Sequence, residues 1–189
     1  MKEGKLIVVS GPSGAGKDTV VSKYLERHPE DELSISMTSR DIRPGEVNGV
    51  NYYFKTKEEF EKAILDGELL EYAMYNGNYY GTPKSEVEKR ISNGINVILV
   101  IEVVGAMNVK KMMGDKCSLI FIMPPSMEEL KNRLLNRGTD SLESIEGRLD
   151  IAKKEIKESH RYDYKVVNDD LNKAVDDLEF IINNNINNK

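Results

Sequence analysis

An α/β fold built on a parallel β-sheet is expected for this 189-residue chain, from three features of its sequence. Short, unbroken apolar runs recur at wide intervals. Helical patterns lie between them. A glycine-rich turn joins the first run to the first helix. Strands buried on both faces read as continuous apolar runs, and their alternation with helices implies a parallel sheet with right-handed crossovers.

The first run is Leu6-Ile7-Val8-Val9. Lys17 to Arg27 follows as a helix with Val20, Val21, Tyr24 and Leu25 on one side, and His28-Pro29 stops it. Residues 34–82 break the alternation: they are rich in Tyr, Gly, Thr and Asn and carry short alternating runs. A small, mostly β insertion is expected there, with one helix near 57–65 opened by a Thr56/Glu59 capping box. The next helix, 83–93, starts at Thr82-Pro83 and stops at Asn93-Gly94. The buried-strand signal returns at 97–101 and 119–123, and more weakly at Tyr164-Lys165-Val166-Val167. Residues 126–157 read as a second, helical insertion. Ser126 and Glu129 form a capping-box pair there, Gly138 ends the first helix, and Asp140 with Glu143 starts another. The last helix, near 170–186, is expected to fade into a frayed Asn-rich tail. The expected division is a core of 1–33, 83–125 and 158–189 interrupted by the two insertions.

With 31% charged and 39% hydrophobic residues the chain reads as a soluble globular protein. Its net charge of −5 argues against a non-specific nucleic-acid binder but leaves room for a local basic pocket. The single cysteine, Cys117, forbids an internal disulfide and reads as a small core residue at a strand edge rather than a nucleophile. No stretch approaches the ~20 apolar residues of a membrane span, and the N-terminal run is too short for a signal. A cytoplasmic location with neither nucleic acid nor membrane as partner is expected.

The chemistry starts at Gly11-Pro12-Ser13-Gly14-Ala15-Gly16-Lys17, placed between a buried strand and a helix. Glycines let backbone N–H groups converge on an anion, the helix N-terminus adds its dipole, and Lys17 brings a charge to the β- and γ-phosphates. This points to a phosphate-transferring P-loop enzyme. The motif wants Ser or Thr after the lysine to hold Mg²⁺, whereas here Asp18 stands there and Thr19 follows. Arg40 and Arg43, with Tyr52 and Tyr80, suit a clamp on a monophosphate. Glu71 offers acceptors for the N1–H and amine of a guanine, with a hydroxyl donating to its O6. Arg133 and Arg137 share a helix face and, with Arg148, suit a lid that neutralises a transferring phosphoryl group. Taken singly, such arginines and tyrosines are ordinarily solvated charges and packing residues.

These strings, in this order, resemble the guanylate kinase family over nearly the whole chain. The matches are Gly11 to Lys17, Arg40-x-x-Arg43-x-Gly45-Glu46, Gly49-x-x-Tyr52-x-Phe54, Gly77-Asn78-Tyr79-Tyr80-Gly81, Pro124-Pro125-Ser126, Arg137-Gly138-Thr139 and Val167-Asn168-Asp169-Asp170. The resemblance implies the P-loop nucleoside-monophosphate-kinase fold, with 34–82 as the GMP-binding region and 126–157 as the lid. It implies transfer of the γ-phosphoryl group of ATP to GMP or dGMP with Mg²⁺, by a monomer or homodimer. Ser36, Glu71 and Thr82 would read the guanine, and Glu102 keeps an acidic position beside that site. Arg40, Arg43, Tyr52 and Tyr80 would hold the GMP phosphate. Gly11 to Thr19 would bind ATP, with Asn168 near the adenine. Lys17, Arg40, Arg133, Arg137 and Arg148 would act in catalysis. The chain departs from the family at Asp18, ordinarily Ser or Gly, at Val100, ordinarily acidic, and at Val104, ordinarily Gln. Asp18 either replaces the carboxylate missing at Val100 on Mg²⁺ or its water, or caps the helix facing solvent. Two other readings keep the fold: a guanylate-kinase-like binding module without catalysis, and a kinase for another acceptor such as ribose 1,5-bisphosphate. Lys17 and the lid arginines speak against the first, and Glu71 with Ser36 and Thr82 against the second.

Overall fold

A computed structural model describes residues 3–136 and 142–187. Its core is a five-stranded sheet of β1 (Leu6–Ser10), β2 (Glu32–Leu33), β7 (Val97–Val100), β8 (Cys117–Met123) and β9 (Tyr164–Val167). The order is β2-β7-β1-β8-β9 and every pairing is parallel. Four of these strands were legible as apolar runs. The fifth, β2, has two residues, too few to carry a pattern.

Alternation explains why β1 is apolar from Leu6 to Val9. Ile7 and Val9 enter a core shared with Val20, Val21 and Tyr24 of α1 (Lys17–Arg27) and with Val175 and Leu178 of α7 (Leu171–Phe180). Leu6 and Val8 enter the opposite core, with Val87 of α3 (Lys84–Ser92) and Val103, Ala106 and Val109 of α4 (Val103–Met113). Each such side chain contributes about 2 kcal/mol by leaving water. After α7 the chain continues as wide π-helical turns, Ile181–Ile186, with Ile181, Ile182 and Ile186 buried. The expected fraying of this tail is therefore corrected up to that point. Its isoleucines are spaced to fall on the core, and the asparagines between them face out.

A second, four-stranded sheet has the order β4-β3-β6-β5, with β3 (Met37–Thr38), β4 (Tyr53–Phe54), β5 (Leu69–Tyr75) and β6 (Asn78–Pro83). Helix α2 (Lys57–Leu65) packs Phe60 and Ala63 against Met37 and Leu69, and its Thr56/Glu59 capping box is complete. Helix α5 (Met127–Asn136) buries Leu130 and Leu134 against Ile145 and Ala152 of α6 (Leu142–Glu158). Ser126 caps α5 through the Glu129 amide at 3.0 Å, but the Glu129 carboxylate turns to Arg133 instead of closing the box. Arg137, Gly138, Thr139 and Asp140 lie outside the described residues. No helix among the described residues is long and apolar enough to cross a membrane.

Candidate active site

The C-terminal ends of β1, β7, β8 and β9 lie side by side, which is where parallel sheets bind ligands. The loop after β1 carries Gly11 to Gly16 and opens α1 at Lys17, the geometry of a phosphate cradle. Gly16 takes the left-handed conformation, φ 89°. A Cβ there would also stand 2.4 Å from Asn168 Nδ2, so this turn requires glycine on two counts. Lys17 is buried and folds back on its own loop, donating to the carbonyls of Gly11 at 2.6 Å and Pro12 at 3.3 Å. Those two carbonyls hold the ammonium against its own loop.

Asn168 follows β9, and its backbone N–H donates to the Met123 carbonyl at 2.8 Å. Its side-chain amide donates to the Ala15 carbonyl at 2.8 Å, and its own carbonyl accepts from Arg133 Nη2 at 2.9 Å. Asn168 is thus buried as a brace between the phosphate loop and the Arg133 helix. Gly14 brings the same helix close, since a Cβ there would meet Leu134 at 3.0 Å and Leu130 at 3.1 Å. Arg133 also donates to Glu129 at 3.0 Å. Arg148 is half-buried on α6, and Arg137 is outside the described residues.

Between the second sheet and α4 lies a cleft of about 290 Å³. Ser36, Tyr52, Glu71, Tyr80 and Glu102 line it, so five of the expected acceptor-site residues come together. Thr82 does not line it. That residue is fully buried behind Glu71, and its hydroxyl donates to Glu71 Oε1 at 2.7 Å. The Thr82 hydroxyl is thus bonded to the carboxylate expected to read the base. Burial pushes the Glu71 carboxyl above its usual range, and the Thr82 hydrogen bond only partly offsets this. Gly105 makes room for the carboxylate, because a Cβ there would stand 3.2 Å from Glu71 Oε2.

Arg40 lies over the rings of Tyr52 and Phe54, 5.5 and 5.6 Å from their centroids. Both its terminal nitrogens bond Glu46, at 3.0 and 2.8 Å, and Glu46 also accepts from the Arg43 amide at 2.8 Å. Glu46 thus fixes the arginine fork and folds the turn carrying Arg43, whose own side chain is exposed. Sequence reasoning quoted Glu46 in a motif without giving it this task; its spacing six residues after Arg40 was the available signal. Replacing Glu46 by alanine is expected to raise KM for GMP about tenfold, the worth of one misplaced charge-assisted hydrogen bond, with kcat nearly unchanged. Steady-state kinetics against GMP check this; an unchanged KM would mean that Arg40 needs no brace.

Asp18 and Thr19 are exposed at the start of α1. The Asp18 carboxylate makes no hydrogen bond or ion pair with the described residues and shares a hollow of about 340 Å³ with Val100, Ser22 and Glu26. Val100 lines both this hollow and the acceptor cleft. Asn108 was missed at the cleft. It comes from α4, far in sequence from every motif, and no local pattern marked it.

The guanylate kinase family model matches residues 3–185. A guanylate kinase of Oceanobacillus iheyensis is 52% identical over 181 residues, covering 96% of this chain and 87% of that protein. One from Listeria innocua is 51% identical over 183 residues, covering 96% and 88%. The crystal structure of guanylate kinase from Anaplasma phagocytophilum superposes with a TM-score of 0.73 at 36% identity, over 96% of this chain and 86% of that one. The chain belongs to the guanylate kinase family.

Proposed function

We propose that this enzyme transfers the γ-phosphoryl group of ATP to GMP or dGMP, giving ADP and the guanosine diphosphate. The observation that carries this reading is the cleft that joins Glu71, braced by Thr82, to Tyr52 and Tyr80 beside the fixed Arg40 fork. A buried carboxylate acceptor suits the adjacent N1–H and amine donors of guanine, a pairing that adenine does not offer. Arg40, Tyr52 and Tyr80 hold the acceptor phosphate, with Arg43 reaching it from the same turn. The loop amides and Lys17 hold the phosphates of ATP, and Arg133, Arg137 and Arg148 neutralise the group in transfer. A GMP phosphate oxygen attacks the γ-phosphorus in line, so no protein nucleophile is needed and catalysis is positioning and charge neutralisation. Residues 34–82 serve as the GMP-binding region, 126–157 as the lid, and 1–33, 83–125 and 158–189 as the core. A cytoplasmic site of action fits nucleotide metabolism.

Asp18 supplies a hard oxygen donor of the kind Mg²⁺ takes, at the end of the cradle where the motif holds it. Bound there with ATP, Mg²⁺ would supply charge neutralisation to the phosphoryl group in transfer. Val100 contributes no donor from the facing strand, and Asp18 replaces that carboxylate. Asp18→Ser is expected to raise the Mg²⁺ concentration for half-maximal turnover about tenfold and to weaken Mn²⁺ in the ADP complex, read by electron paramagnetic resonance. Val100→Asp in that background restores both. An unchanged metal dependence in Asp18→Ser sinks the assignment.

One assay tests the activity: ADP formation from ATP and Mg²⁺ with GMP, dGMP, AMP or ribose 1,5-bisphosphate as acceptor. GMP and dGMP are expected to serve. Absence of GMP-dependent ADP overturns the reading in favour of a binding module, and preference for the sugar bisphosphate overturns the acceptor.

A further inference from the structure

Helices α2 and α5 each begin on a capping-box pair, and only the first box closes. At α2 the Thr56 hydroxyl accepts from the Glu59 amide at 3.1 Å, and the Glu59 carboxylate accepts from the Thr56 amide at 2.8 Å. At α5 the Ser126 hydroxyl accepts from the Glu129 amide at 3.0 Å, but the Glu129 carboxylate accepts from Arg133 Nε, also at 3.0 Å. Stability gives no reason for this exchange. Closing the box would satisfy a donor at the helix end, whereas a partly exposed i,i+4 ion pair is worth little. The side chains of Arg133 and Glu129 are 25% and 42% exposed.

What the exchange does is fix an arginine. Arg133 Nη2 donates to the Asn168 carbonyl at 2.9 Å. That acceptor is itself held in place. The Asn168 backbone N–H donates to Met123 at 2.8 Å, and its side chain donates to Ala15 of the phosphate loop at 2.8 Å. Nε and Nη2 share one edge of the planar guanidinium, so Glu129 and Asn168 together set its plane and its rotation. The edge formed by Nη1 and Nη2 is the one that suits two oxygens of a phosphate. Packing sets where the fork stands. A Cβ on Gly14 would meet Leu134 at 3.0 Å and Leu130 at 3.1 Å, so α5 lies directly against the loop. Arg133 is on the turn between those two leucines. The fork therefore stands beside the phosphate cradle and is held at two of its three nitrogens.

We infer that Glu129 is a positioning residue for phosphoryl transfer: it holds Arg133 at Nε, with Asn168 at Nη2, so that the Nη1–Nη2 edge meets the transferring group already oriented. An arginine free to turn would have to be frozen as the charge moves, whereas a braced fork needs no such reorganisation. Glu129 acts through Arg133 and touches neither nucleotide.

This role rests on the proposed transfer from ATP to GMP, and the assays keep the two apart. Full-length wild type, Glu129→Ala, Glu129→Gln, Arg133→Ala and the double variant of Glu129→Ala with Arg133→Ala are compared for kcat, KM for GMP and melting temperature. Glu129→Ala is expected to lose about tenfold in kcat. That is less than the roughly 10²-fold of a misplacement of about 1 Å, because Asn168 still holds Nη2. KM for GMP should hold, since neither Glu129 nor Arg133 lines the acceptor cleft. Glu129→Gln keeps an uncharged acceptor of the same reach and should recover most of the rate. In the Arg133→Ala background, removing Glu129 should cost nothing more, because the group it positions is gone. The fold should survive, since alanine is the best helix former and the Ser126 cap uses the backbone of residue 129. Wild-type kcat in Glu129→Ala overturns the inference whatever the melting temperature does, for that is the pattern of a pair that only stabilises α5. Additive losses in the double variant overturn it too, as do equal losses in Glu129→Ala and Glu129→Gln. If Glu129→Ala does not fold, Glu129→Asp decides, because it keeps the charge but is one carbon short of Arg133: a reduced kcat supports the inference and a wild-type kcat overturns it. Wild-type enzyme that forms no GMP-dependent ADP would instead remove the activity on which this role depends.

Discussion

Glu71→Gln is expected to lower kcat/KM for GMP by about 10³-fold, nearly all of it in KM. In the proposed reading the carboxylate accepts from two guanine donors, and a hydrogen bond to a charged group is worth about 1.5–3 kcal/mol. Losing two removes about 4 kcal/mol, or three factors of ten. The amide worsens matters, because Thr82 holds Oε1 and leaves Nε2 facing the guanine donors, donor against donor. Three further readouts separate this from misfolding. IMP lacks the 2-amine and gives the wild-type carboxylate one donor instead of two, so the preference for GMP over IMP should collapse in the variant. The melting temperature should stay or rise, since the variant removes a charge that burial already disfavours. Finally, guanine binding needs the ionised carboxylate, and burial places its pKa above the usual range. In the wild type KM for GMP should therefore begin to rise, on acidification, at a higher pH than an exposed glutamate would give; in Glu71→Gln that limb should be absent. A variant with wild-type preference between GMP and IMP would show that Glu71 does not read the base.

How much of this was legible in the sequence depended on the range of each interaction. The phosphate loop is a local device: strand, glycine turn, lysine and helix follow one another, and the structure repeats that order from Leu6 to Arg27. The capping box at Thr56 and Glu59 is equally local and was read correctly. Interactions that cross the fold were not legible. Asn168 meets Ala15 across 153 residues, and nothing near either residue shows that the amide braces the loop. Thr82 and Glu71 were both singled out, yet only the pairing of β5 with β6 shows that one spends its hydroxyl on the other. No local pattern marks Gly105, and only the fold sets it where a Cβ would stand 3.2 Å from Glu71 Oε2. Sequence named the chemical groups; the fold decided which of them face a substrate and which hold those that do.

That distinction matters most for Lys17, where Lys17→Met is expected to reduce kcat by about 10³-fold, comparable to losing a preorganised donor to the developing charge. Methionine keeps the length and flexibility of the stem, so the loop should retain its shape. Stability should change little, because two offsetting quantities disappear together. One is the charge-assisted bond to Gly11 at 2.6 Å; the other is the penalty for burying an ammonium. GMP affinity, measured by calorimetry without ATP, should also hold, since the acceptor cleft does not include Lys17. The expected pattern is thus an intact, GMP-binding protein that hardly turns over. Lys17→Arg is not expected to rescue it, because a planar fork replaces a compact ammonium in a loop braced on three sides by Ile122, Leu134 and Asn168. A methionine variant that retained a tenth of the wild-type kcat would assign the charge neutralisation to the lid arginines alone.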